Sequence, residues 1–156
     1  MKYPNIFAAL ENTVWAITPE KMDAICGFLD VAASGMTLDG ETLERVAASN
    51  RQQRTASTTT SVGVLPIVGV ISQRMDLLTE FSGGASTERL GRDFDALVKD
   101  PDVSAIILDI DSPGGNYYGT PELARKIYNA RGTKPITAQV NSMAGSAAFW
   151  IAAAAD

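Results

Sequence analysis

Two short stretches carry residue types that could do chemistry. In Asp111-Ser112-Pro113-Gly114-Gly115, a proline that fixes one φ angle precedes two glycines. Without side chains, those glycines let the backbone bring free N–H groups close to a ligand. Gly145-Ser146-Ala147 sets a hydroxyl among small residues, with Ala144 and Ala148 on either side, so a substrate backbone would find room there. Ser146 stands where a strand-to-helix turn becomes a helix N-terminus. Its hydroxyl would then lie over free N–H donors and the positive end of the helix dipole, a setting that suits a developing oxyanion. Both stretches also have a plain structural reading: a Gly-Gly after a strand is ordinarily a turn, and a serine before a helix is ordinarily its N-cap.

Other reactive groups are few. Asp109 and Asp111 flank Ile110 and face one side of a strand end, which invites a carboxylate-pair or metal reading. An exposed strand end solvates carboxylates, however, and no third ligand is evident, so neither a metal nor a cofactor is expected. There is no histidine, and Cys26 is the single cysteine. A Ser-His or Cys-His hydrolase contained in these residues is thereby excluded, as are an internal disulfide framework and a His- or Cys-cluster metal site. Five lysines remain as possible bases. Lys134 precedes the strand that leads to Ser146 and stands about 20 Å from it at ~3.3 Å per residue. Lys126 lies more than a turn into its helix and reads as a solvated charge. Lys99 ends a helix on the side of the sheet opposite the loops, while Lys2 and Lys21 belong to the N-terminal segment. None fits well.

The elements around these loops follow from local pattern. Thr120-Pro121-Glu122 opens a helix with Leu123, Ile127 and Tyr128 inward and Gly132 at its end. Val103 to Ile110 is a nearly continuous apolar run, the mark of a central parallel strand covered on both faces. Pro135 precedes a strand over Ile136 to Val140, and Ala147 to Ala152 begins a helix. Val62 to Ile71 is a β-rich run in which Pro66 and Gly69 suggest an edge position or a bulge. Ser86 caps a helix through Leu90, Phe94, Leu97 and Val98, which Asp100-Pro101 stops. Strand alternating with helix is an α/β layout with a parallel sheet.

Upstream, residues 1–52 read as a helical leader. Thr18-Pro19-Glu20 opens one helix, with Met22, Ile25, Cys26, Phe28 and Leu29 at helical spacing, and Thr37 begins another with Leu38, Leu43 and Val46. Residues 53–61 are a polar linker with no large apolar side chain, and 62–156 form the core. Trp15 and Trp150 read as packing residues. The 156 residues are 46% hydrophobic and 20% charged, which is globular composition. The net charge of −5 divides as −2 up to Thr60 and −3 after it, so neither part is a basic nucleic-acid module. No run approaches the ~18 apolar residues of a membrane span, and Pro4, Asn5, Glu11 and Asn12 break any signal-peptide core.

Ile110-Asp111-Ser112-Pro113-Gly114-Gly115, followed after one helix and one strand by Met143-Ala144-Gly145-Ser146-Ala147-Ala148-Phe149-Trp150-Ile151-Ala152, resembles the signal-peptide peptidase A family of serine proteases. More distantly it resembles the Clp protease and crotonase superfamily. The helical leader and polar linker before it look like the phage capsid-assembly, or prohead, branch. The resemblance implies a Clp protease/crotonase-like core, here incomplete, with Ser146 as nucleophile and the N–H groups of Gly114 and Ala147 as oxyanion hole. Gly115, Asn116, Tyr117 and Tyr118 would line the substrate groove. It also implies a lysine base, kept neutral by burial. In single-domain members that lysine lies well downstream of the serine, and in double-length ones it lies in a separate repeat; neither location falls within these residues.

The function so implied is a Ser-Lys endopeptidase of phage head maturation, working in the infected cell's cytoplasm or the prohead on scaffold, portal or coat proteins. Two alternatives stand beside it: a non-catalytic scaffold or binding module using residues 1–52, and a host signal-peptide peptidase-like protease. A sheet of three strands with its last helix barely begun is a thin core with an unprotected edge. The expectation is therefore a piece of a longer protein that self-associates and is inert alone.

Overall fold

The structure, a computed structural model, describes residues 14–33, 57–59, 61–74 and 84–156. Along the chain run β1 (Trp15–Ile17), α1 (Pro19–Ala33), β2 (Ser57–Thr59), β3 (Val62–Val68), β4 (Ile71–Ser72) and β5 (Ala85–Ser86). They are followed by α2 (Thr87–Lys99), β6 (Ala105–Ser112), β7 (Gly114–Asn116), α3 (Thr120–Asn129), β8 (Ile136–Ala144) and α4 (Ala147–Ala152). The result is a mixed α/β fold built on two sheets. One has the order β2-β3-β6-β8, with β3, β6 and β8 parallel and β2 antiparallel to β3. The other has the order β1-β7-β4-β5, with β1 antiparallel to β7 and the remaining pairs parallel.

Two of the long strands, β3 and β6, hand the chain from one sheet to the other. β3 passes through Gly69, whose φ of +77° turns the corner, into β4, and β6 passes through Pro113 into β7. Pro66 sits beyond the end of β2, which pairs only with Val62 to Val64. Its missing N–H therefore falls where no described strand pairs with β3.

The core lies on one face of the larger sheet. Leu65 and Ile67 from β3, and Ile106, Leu108 and Ile110 from β6, pack against Leu90, Phe94 and Leu97 of α2. Leu123, Ala124 and Ile127 of α3 and Ala147, Ala148 and Ile151 of α4 complete it. Burial alternates along β6, so Ile107 and Asp109 turn to the half-exposed opposite face. Among the described residues the reading of β6 as covered on both faces is thus corrected: α2, α3 and α4 stack on the same side. Tyr128 is corrected too. Leu123 and Ile127 define the inner stripe of α3, and Tyr128, turned one residue further round, is exposed beneath the Arg131 guanidinium at 4.5 Å.

Three other expectations shift. Trp15–Ile17, read within a helical leader, is a strand. Ser57–Thr59, read within a linker, pairs with β3, and the strand leading to Ser146 runs on to Ala144. α1 forms as expected, with Ile25 and Leu29 buried and Met22 and Cys26 half-buried. The second leader helix, from Thr37, lies outside the described residues. Among the described residues no helix is long and apolar enough to cross a membrane.

Candidate active site

Both singled-out loops arrive at one place. The parallel pairing of β6 with β8 brings Ser112 level with Ala144. The Gly145 N–H then donates to the Ser112 carbonyl at 2.8 Å, tying the loops together. No side chain fits between them, since a β-carbon on Gly145 would stand 2.6 Å from the Pro113 carbonyl oxygen.

Ser146 follows as the N-cap of α4, but it caps nothing: its side chain makes no capping hydrogen bond. The residue is exposed, with φ +47° and ψ −107°. A non-glycine residue pays on the order of 1–3 kcal/mol for such a backbone, and strain of that kind concentrates at functional sites. An ordinary N-cap adopts the β region and bonds the N–H groups of the first turn, as Ser86 does for Arg89. Beside Ser146, the buried Ala147 N–H has no acceptor among the described residues. At six residues α4 is too short for a full macrodipole, so the local N–H groups are what a nearby oxyanion would meet.

The Gly114 N–H is not free in the way an oxyanion donor requires. It donates to Ser112 Oγ at 3.1 Å, and Ser112 Oγ in turn donates to the Gly69 carbonyl at 2.6 Å. Ser112 is fully buried and stitches the two corners of the chain together. The glycine at 114 answers a different need. Its φ is +101°, and a β-carbon there would meet the Ala16 carbonyl oxygen at 2.4 Å, the Gly145 carbonyl oxygen at 2.9 Å and the Ala147 nitrogen at 3.2 Å. Gly115 is buried with its Cα against the main chain of Ile71. Replacing Ser112 by alanine should strand the Gly114 N–H and cost ~1–3 kcal/mol in chemical denaturation; an unchanged midpoint would show that the bond is not needed.

The remaining groove residues are partly committed to the turn. Asn116 Oδ1 accepts from the Tyr118 N–H at 2.8 Å, and its carbonyl accepts from the buried Thr120 Oγ1 at 2.8 Å. Tyr117 and Tyr118 are exposed and meet edge-on at 6.0 Å. Trp150, read as a packing residue, is instead 43% exposed, with its ring 5.8 Å from Tyr117. Together they make an aromatic surface patch one helical turn from Ser146, which only the pairing of the two loops assembles.

No lysine is brought to Ser146 by the contacts seen. Lys126 pairs with Asp95, and Lys134 Nζ donates to the carbonyls of Leu97 and Asp100, at the far end of the sheet. Lys21 stands in the first turn of α1, and no described contact links its amine to Ser146. Its helix starts at the site, where the Thr18 N–H donates to the Pro113 carbonyl at 3.1 Å. A Ser-Lys dyad is not evident among the described residues. Asp109 accepts from the Asn141 side-chain amide, and no cluster of three or more His, Cys, Asp or Glu side chains forms among the described residues.

No family model matches the chain. It is 34% identical over 114 residues to the head-tail preconnector protein GP5 of Enterobacteria phage P21, covering 73% of this chain and 23% of that protein. It is 33% identical over 131 residues to the capsid assembly protease C of Escherichia phage lambda, covering 80% of this chain and 30% of that one. A shorter match, 36% over 62 residues, joins it to a protein named as a protease in Methanocaldococcus jannaschii, with 40% of this chain and 20% of that protein covered. The chain thus spans less than a third of the length of the relatives it matches. Within that span it is distantly homologous to the phage capsid-assembly proteases.

Proposed function

We propose that the full-length protein is a Ser-Lys endopeptidase with a Clp protease/crotonase-type core, acting in phage head maturation on scaffold, portal or coat proteins. The observation that carries it is Ser146: strained, exposed, without a capping hydrogen bond, and beside an Ala147 N–H with no acceptor among the described residues. The names of the two phage relatives support the setting, and "protease" in two of the three names supports hydrolysis.

In this reading Ser146 Oγ attacks the carbonyl carbon of an extended peptide and gives its proton to a neutral lysine amine. The carbonyl oxygen, now negative, accepts from the Ala147 N–H and, with the Gly114 N–H committed to Ser112 Oγ, from the Gly115 N–H once β1, which pairs with it, has moved away. The amine product leaves with the proton, and water hydrolyses the ester left on Ser146. The base is a lysine from outside the described residues, brought by the longer polypeptide or by a neighbouring subunit. Base assistance is worth about 10²–10⁴ in rate, so the 156 residues alone should be nearly inert. A serine-directed fluorophosphonate probe tests this. It should label Ser146 saturably in the full-length protein and more slowly in the 156-residue chain; no labelling of the full-length protein, even with β1 displaced, sinks the reading.

The engagement of Lys126 and Lys134 away from Ser146 favours one other reading, a non-catalytic module of capsid assembly docking through residues 1–52. Deleting those residues should then abolish assembly. Retained peptidase activity in that deletion would separate docking from chemistry.

A further inference from the structure

The strand the sequence did not announce lies in an informative place. β1 pairs antiparallel with β7 in the register Trp15↔Asn116, Ala16↔Gly115, Ile17↔Gly114. At its two ends the Tyr117 N–H donates to the Val14 carbonyl at 2.9 Å, and the Thr18 N–H donates to the Pro113 carbonyl at 3.1 Å. Antiparallel ladders alternate bonded and non-bonded pairs, so these flanking bonds make Ala16 and Gly115 the directly bonded pair. The Gly115 N–H is therefore held by the Ala16 carbonyl.

The other edge of β7 is taken by Ile71 of β4. The edge that β1 holds is thus the one an additional extended chain could use. It leads directly to Ser146: the Thr18 methyl lies 3.0 Å from the place of a β-carbon on Gly145, while the Ala16 carbonyl oxygen and the Ala147 nitrogen crowd the same point beside Gly114. A peptide binding by backbone pairing along this edge would lie where β1 lies. The anchorage of β1 is separate from the main core. Among the described residues, Ile25 and Leu29 of α1 bury against Val70, with Trp15 and Ile17 packed alongside, and of β1 and α1 only Ala16 packs on the larger cluster. A small cluster of this kind can open without unfolding the rest.

We propose that Val14–Thr18, carried by α1, is a built-in pseudosubstrate: it fills the peptide-binding edge of β7 and must withdraw before a peptide reaches Ser146. This rests on the peptidase reading and adds its regulation. Release bares the Gly115 N–H, so one movement both opens the groove and frees an oxyanion donor.

The double variant Ile25→Asp/Leu29→Asp undocks α1, and Ala16→Pro, which removes a ladder donor and leaves the α1 contacts in place, serves as the second. Both are made in the full-length protein and checked for wild-type circular dichroism. Two quantities are read: the rate of fluorophosphonate labelling at Ser146, and hydrogen exchange at the Gly115 and Tyr117 amides. Labelling should quicken at least tenfold and both amides should lose protection. A synthetic peptide of residues 12–20, added in trans, should restore protection and slow labelling again. Folded variants that label at the wild-type rate, or amides that the peptide fails to protect, overturn the proposal. Labelling in none of the proteins, with peptide protection intact, overturns the peptidase reading instead while still supporting competition at this edge.

Discussion

Replacing Ser146 by alanine should abolish peptide-bond cleavage by the full-length protein while leaving its stability unchanged. Removing a nucleophile typically costs on the order of 10⁴–10⁶ in kcat, because the remaining oxyanion donors and binding contacts supply only the residual acceleration. Stability should not move, because the hydroxyl makes no capping hydrogen bond and the residue is exposed, so alanine deletes no packing and keeps the same strained backbone. Glycine separates the two roles further. At φ +47° and ψ −107° it relieves the strain, which exceeds glycine's own entropic cost, so Ser146→Gly should be inactive yet more stable by ~1 kcal/mol, or roughly 2–4 °C in Tm. A serine kept only for capping would behave the other way, losing stability on either change. Cleavage of a denatured protein substrate and thermal unfolding of the three proteins decide it. Undiminished cleavage by the alanine variant would refute the assignment.

The second large effect is expected at Gly115. A β-carbon there would stand 1.9 Å from the Ile71 carbonyl oxygen, 2.5 Å from its nitrogen and 2.6 Å from its carbonyl carbon. All three are main-chain atoms of the neighbouring strand, so no rotamer change can relieve the clash. β4 and β7 must separate, and with them goes the corner that positions Ser112 and Pro113. Gly115→Ala should therefore cost more than ~4 kcal/mol, beyond the ordinary range of single substitutions. The protein would be largely unfolded or insoluble. Two glycines with open surroundings supply the contrast. Gly27, inside α1 with nothing within 4 Å, should tolerate alanine and gain ~0.5–1 kcal/mol from helix propensity. Gly132 has equal space but a φ of +78°, so alanine there should cost ~1 kcal/mol through the backbone alone. Urea denaturation of the three variants measures all of this. A soluble Gly115→Ala protein with a near-normal midpoint would mean that the two strands are not so close.

That glycine also answers a packing need that its sequence context does not reveal. The Gly114-Gly115 pair reads from sequence as freedom reserved for a ligand. The structure spends the freedom on its own chain: Gly115 on the approach of Ile71, Gly114 on a left-handed turn against Ala16 and Gly145. The Gly114 N–H, the donor the family resemblance nominated, is bonded to Ser112 Oγ. Nothing local to the tetrapeptide Ser112-Pro113-Gly114-Gly115 foretells a partner 43 residues away at Gly69, which is where the other half of that serine's bonding lies.

Features governed by neighbours within a few residues were readable along the chain. Proline opens α1 and α3, Ser86 caps α2 and Asp100-Pro101 stops it, and the apolar spacing of Leu90, Phe94 and Leu97 and of Leu123 and Ile127 chooses the buried helix faces. The order of the three long strands β3, β6 and β8 and the helices α2 to α4, and with it the arrival of the Pro113 and Ser146 loops at strand ends, was legible for the same reason: local steric preferences and hydrophobic periodicity act along the chain. Which edges meet depends on contacts between distant segments. Trp15–Ile17 is too short to declare itself a strand, and it becomes one because the free edge of β7 has unpaired backbone groups that burial makes costly to leave unsatisfied. The one-sided covering of β6, the exposure of Trp150 and the positive φ of Ser146 belong to the same class. Each is settled by contacts between segments distant in the chain, whose packing and hydrogen bonds outweigh what any single residue prefers on its own.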